Sequence, residues 1–116
     1  MKKLKFVVVT DKKGVRILRL GYVEFHSDLV DSNNEVCHGG GMFVVDNENK
    51  TVTMTGRSVD FGVPKFGIIM RVENKRPGTI TVGQDYKFIY LKEDEIWFGK
   101  KETELIEVNT GGAEFV

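Results

Sequence analysis

The chain has one cysteine, two prolines, two histidines and one tryptophan in 116 residues, and its seventeen basic residues are balanced by seventeen acidic ones. Each shortage excludes something. Cys37 has no partner within the chain, so an internal disulfide is ruled out and a reducing compartment fits. Charge balance removes any global field that would draw nucleic acid or an anionic membrane, so an anion site has to be local. No apolar run is long enough for a membrane-spanning helix. The start Met1-Lys2-Lys3-Leu4-Lys5 carries the charge of a signal peptide, but Phe6-Val7-Val8-Val9 breaks at Thr10-Asp11, too soon for a hydrophobic signal core. A cytoplasmic protein is expected. The length suits one domain, residues 1–116, able to build a core without disulfide or metal staples.

What is present reads mainly as strands. Residues 4–9 are rich in Val and Phe and form a buried strand, with Lys5, Val7 and Val9 on one face. Asp11-Lys12-Lys13-Gly14 is a turn, and residues 15–20 are a second strand, joined to the first as a hairpin or by a longer connection. Ser27 and Asp28 are good cap residues, which predicts a short helix just after His26 that ends by Ser32. Gly39-Gly40-Gly41 marks close backbone approach or unusual dihedrals ahead of a strand over 42–45. That strand and residues 51–57, flanking a polar turn, make the clearest hairpin. Pro64 suits the first turn of a helix, predicted to run to Arg76 with Phe66, Ile69, Met70 and Glu73 on one stripe. Pro77-Gly78 stops it. Strands are expected over 79–82, 86–91, 96–99 and 105–108, with charged turns at 92–94 and 100–102.

Several reactive combinations fail on spacing. A protease-like triad of Ser58, His26 and Asp28 lacks the second glycine of a nucleophile elbow, and Asp28 is too close in sequence to orient the ring. Cys37 and His38 are adjacent, without the spaced ligand pairs of a zinc site, which favours plain packing. The triple glycine is not followed by Gly-Lys-Ser/Thr and is no nucleotide phosphate loop. Taken alone, His26 is a polar residue at a helix start.

A shared pattern changes that reading. Gly21-Tyr22, then Glu24-Phe25-His26-Ser27-Asp28-Leu29, then Gly39-Gly40-Gly41, then Gly56-Arg57-Ser58-Val59-Asp60-Phe61-Gly62 resembles the protein phosphohistidine phosphatase family, also called the janus/ocnus family. The resemblance covers residues 5–82 and leaves an extra β-rich part, 84–116. It implies an α/β (α+β) fold, a single mixed β-sheet of about six or more strands packed by two helices. It also implies a metal-independent hydrolase without cofactor that removes phosphate from phosphohistidine. His26 matches the catalytic general base, Lys5 the phosphate-site lysine and Ser58 the phosphate-contacting serine. Backbone N–H groups near Ser27 and Asp60 match main-chain phosphate donors. Arg19 is the nearest match, after a small gap, to a family arginine that precedes Gly-Tyr. The arginine that follows the family's triple glycine is Met42 here.

The expected partner is therefore a phosphohistidine-containing protein or a small phosphoramidate, with no nucleic acid and no membrane. The loss of an arginine at Met42 motivates an alternative, a module that keeps the anion pocket and binds a phosphorylated partner without turnover. A third reading takes Tyr86, Phe88, Tyr90, Trp97 and Phe98 as a homodimer interface in the C-terminal strands.

Overall fold

The computed structural model describes residues 2–73, 76–80, 82–83, 85–96 and 100–110, with backbone alone for 93–96 and 100–104. Seven strands form one mixed sheet that curls into a half-barrel. They are β1 (Lys3–Asp11), β2 (Arg16–Val23), β3 (Glu35–Asp46), β4 (Thr51–Thr55), β5 (Arg71–Glu73), β6 (Lys87–Ile96) and β7 (Lys100–Glu107). Their order across the sheet is β5-β2-β1-β3-β4-β6-β7. The pairings β2–β5 and β4–β6 are parallel and the rest antiparallel.

Local chemistry explains the two central hairpins. In the β1–β2 turn the Asp11 carboxylate accepts the N–H groups of Lys13 and Val15, and Gly14 supplies the φ of +81° that a side chain would resist. In the β3–β4 turn the Asp46 carboxylate accepts from Glu48 and Asn49 in the same way. Such Asp-to-backbone bonds satisfy turn N–H groups that have no ladder partner.

The two-residue period splits the strands between two apolar clusters. Phe6, Val8, Leu18, Leu20, Phe43, Val52 and Met54 face the larger one, which also holds Met70, Val72, Phe88 and Tyr90. Val7, Val9, Ile17, Val23 and Leu29 form the smaller one on the opposite face. At β3 the register jumps from Val8↔Gly39 to Val9↔Cys37. This bulge turns Cys37 into the smaller cluster, where it is half-buried and its thiol is pushed up by burial.

The expectation of a sheet packed by two helices is overturned, because no α-helix is found among the described residues. After Phe25 the chain makes a single 3-10 turn, His26–Leu29, that buries Leu29. Residues 64–70, predicted helical, are irregular and lead into β5. Gly67 weakens a helix by about 1 kcal/mol, and the β-branched Ile68, Ile69 and Val72 fit extended backbone better. The edge of β2 then offers hydrogen bonds, so Arg71–Glu73 pairs with residues 17–19. Phe66 reaches the larger core against Phe6 and Tyr90, whereas Ile68 and Ile69 stay exposed.

The charged stretches expected as turns at 92–94 and 100–102 lie within the β6–β7 ladder, whose register runs from Ile89↔Glu107 to Ile96↔Lys100. The strand expected over 79–82 reduces to a bridge between Gly21 and Thr79, with residue 81 outside the described residues, as are 74 and 75 of the expected helix. The strand expected over 96–99 continues β6 to Ile96, and Trp97, Phe98 and Gly99 are likewise outside the described residues. Phe88 and Tyr90, read as interface residues, are buried within the monomer. The C-terminal part is thereby integral to the larger core rather than an appendage.

Candidate functional site

The site is built where β2 ends and β3 runs through its three glycines. Lys5, in the interior of β1, faces the smaller cluster and is almost fully buried. Burying an ammonium group requires acceptors, and Lys5 Nζ donates to the carbonyl oxygens of Val23 and Glu24. Those carbonyls belong to the chain that delivers Phe25 and His26. The third N–H of the ammonium remains for another acceptor.

His26 opens the 3-10 turn, which is closed by the Asp28 carboxylate on the Phe25 N–H at 2.9 Å. The His26 ring lies on the glycines of β3, with Nε2 2.9 Å from the carbonyl oxygen of Gly41. A carbonyl can only accept, so Nε2 carries the hydrogen, and in the neutral ring the lone pair is on Nδ1. Glycine is required beneath the ring. A Cβ on Gly40 would come within 3.1 Å of His26 Cδ2 and 2.4 Å of the Phe6 carbonyl oxygen. On the other face of β3 a Cβ on Gly39 would meet the Pro64 backbone at 2.5 Å.

Ser58 reaches the same glycines by another route. Gly56, at φ +79°, ends the alternation of β4, and Ser58 and Gly62 then exchange N–H to carbonyl bonds of 3.1 and 2.8 Å. The Gly62 carbonyl also accepts the Gly40 N–H at 3.3 Å, so this loop continues the ladder beside β3 where β4 has stopped. Ser58 is 1% exposed, and its Oγ accepts the Phe61 N–H at 3.2 Å. The hydroxyl thus braces the loop, with its own hydrogen still available to donate. Asp60 is exposed in that loop. Ser27 is exposed in the second position of the 3-10 turn, where a backbone N–H has no acceptor within the turn.

Lys5 and His26 are therefore brought together at one end of β2, and Ser58 is tied to them through Gly40. Arg19 is not part of this group. Its side chain is fully buried, paired with Glu35 at 2.8 Å and Glu73 at 3.0 Å, and it also donates to the Leu29 carbonyl. Arg76 closes the network on both carboxylates. Its place is that of an internal cross-link between β2, β3 and β5. The sequence held one signal for this network, an arginine amid Ile17, Leu18 and Leu20, since a buried guanidinium needs carboxylates. Glu35 had no such signal and was missed. Met42 is the cross-strand partner of Lys5.

No group of three or more His, Cys, Asp or Glu side chains suited to a metal ion occurs among the described residues. No helix among them is long and apolar enough to cross a membrane. Comparison of the chain with family models, curated proteins and solved structures gives no match.

Proposed function

We propose that the chain is a metal-independent phosphatase that hydrolyses P–N bonds, with phosphohistidine in a protein as the substrate and His26 as the general base. The observation that carries this reading is the hydrogen bond from His26 Nε2 to Gly41, which leaves Nδ1 as the basic nitrogen, next to chain segments held by the Lys5 ammonium. A base and a cation at one backbone junction suit in-line attack on a phosphoryl group.

In this mechanism Nδ1 takes a proton from water as the water oxygen bonds to phosphorus. The P–N bond breaks, and its electron pair returns to the substrate imidazole, which is protonated on its other nitrogen and leaves neutral. Lys5 and backbone N–H groups near Ser27 and Asp60 stabilise the equatorial oxygens, and Ser58 holds the loop that carries Asp60. General-base assistance of this kind is worth roughly a hundred- to ten-thousand-fold. A cytoplasmic setting accords with a single half-buried thiol.

The direct test is phosphate release from a phosphohistidine substrate without added metal, for the native protein and His26→Ala. Loss of at least a hundredfold in kcat is expected; equal rates would remove His26 from the chemistry. A second reading, phosphate binding without turnover, is favoured by the uncharged Met42 opposite Lys5. Saturable phosphate binding with no release from any P–N substrate would select it.

A further inference from the structure

A second concentration of positive charge lies at the other end of β1, on the opposite face from Lys5. Thr10 and Arg16 are cross-strand partners at the end of the β1–β2 hairpin. His38 is the extra residue of the β3 bulge, and a bulge of this kind re-aims a side chain. Its Nε2 is 2.5 Å from Thr10 Oγ1. The third arm comes from the irregular segment that crosses Gly39: Pro64 packs on that glycine, and the carbonyl of the next residue, Lys65, accepts from Arg16 Nη1 at 3.0 Å.

These groups are not neutralised internally. Neither Arg16 nor Lys65 is paired with a carboxylate among the described residues. Arg16 Nε is buried without an acceptor, a costly state for a charged group's donor. The His38 imidazole is held below its ordinary value by burial and then by the charges of Arg16 and Lys65, so the protein's own field there is positive. Thr10, His38 and Arg16 are half-buried and Lys65 is exposed, which leaves the cluster open to a solute.

We propose that Arg16, His38, Lys65 and Thr10 form an oxyanion site for a phosphoryl dianion. The guanidinium supplies a fork matched to two oxygens, Lys65 a mobile ammonium, and the histidine and hydroxyl shorter-range hydrogen bonds. Two cations, Arg16 and Lys65, flanked by a histidine and a hydroxyl able to hydrogen-bond, favour a doubly charged phosphoryl group over a carboxylate. The site is separate from His26, because Thr10 and Lys5 point to opposite faces of β1 and are about 17 Å apart at roughly 3.3 Å per residue.

The test is a phosphate titration followed by NMR of the histidine ring resonances, at constant ionic strength. It is run in the His26→Ala protein, so that His38 alone is read and the outcome is independent of catalysis. A saturable shift of the His38 signals is expected, with at least fivefold weaker binding in Arg16→Gln and in Lys65→Gln. Lys65 is exposed, so its variant serves if Arg16→Gln does not fold. Phenyl phosphate in place of inorganic phosphate separates the sources: a matching shift assigns an esterified phosphoryl group, and a shift with inorganic phosphate alone assigns the free ion. A shift that does not saturate, an adventitious ion only, or equal affinity in the Lys65→Gln protein would overturn the site.

Discussion

Lys5 and Met42 stand directly opposite each other on the β1–β3 ladder, so a thioether occupies the position from which an arginine would share a phosphate with the lysine. On the proposed mechanism, placing a cation there should strengthen transition-state contact. Met42→Arg is expected to raise kcat/KM on a phosphoramidate about tenfold, the effect of one added charge-assisted hydrogen bond of roughly 1.4 kcal/mol. Steady-state kinetics measure it. A folded variant with unchanged or lower kcat/KM would show that Met42 does not limit the site.

Gly40→Ala and Gly56→Ala should separate crowding from strain. At Gly40 the methyl group meets the Phe6 carbonyl at 2.4 Å, so β1 and β3 must shift, at a cost of about 1–3 kcal/mol. At Gly56 nothing lies within 4 Å, and only the positive φ is strained, by about 1–2 kcal/mol. Comparable losses in urea midpoint are expected, but only Gly40→Ala, which also displaces the His26 ring, should lower kcat where both proteins are folded. Equal activities would separate the ring position from turnover.

Arg19→Met should test the internal cross-link. Removing the guanidinium takes from Glu35 and Glu73 their fully buried cation and leaves them the part-exposed Arg76 alone, and breaking a buried pair in this way costs about 3–5 kcal/mol. The double change Arg19→Met with Glu35→Gln should recover part of that loss. Urea unfolding measures both. A single variant as stable as the native protein would mean that solvent reaches the network.

Stability should fall with acid through Glu35. The Arg19 guanidinium, assisted by the Asp31 N–H and Arg76, outweighs burial and holds the Glu35 carboxyl below its ordinary value. A depressed carboxyl contributes stability that is fully present above the unfolded value of about 4.3 and is lost as pH falls through the folded one. The exposed turn carboxylates Asp31 and Asp46, also lowered by hydrogen bonds to Asn34 and Asn49, act in the same direction. Thermal unfolding against pH should show a shallower acid decline in Glu35→Gln. An identical slope would exclude Glu35 as its source.

The β3–β4 hairpin was legible because alternation and turn chemistry agree within a few residues, and β1 and β2 were legible as strands around a turn, with the hairpin and a longer connection both left open. Residues 64–76 misled because Pro64 and the stripe through Phe66 and Met70 satisfy a helix locally, while the deciding partners, Gly39 and the β2 edge, are remote in sequence. The runs at 92–94 and 100–102 carry turn-like composition, yet both lie inside the β6–β7 ladder, 92–94 facing 102–104 and 100–102 facing 94–96, which local composition does not encode. At the site, His26 and Lys5 were visible as a pattern. The strand expected over 51–57 stops at Thr55, and Ser58 reaches its buried position through the loop that begins at Gly56. Arg19 was assigned by its nearness to Gly21-Tyr22; it shares the face of Lys5 through its partner Val7, but Glu35 and Glu73, remote in sequence, take up its guanidinium.

The two parallel pairings also bear on how the chain folds. β1–β2 and β3–β4 close through short turns, whereas β5 must return to β2 and β6 to β4 from much further along the chain. Such long closures pay their entropy before contacts repay it. We expect the four central strands to assemble first and the outer strands to dock last. Mutations in the β2–β5 pairing should then mainly accelerate unfolding, whereas mutations at the β1–β3 seam should slow folding.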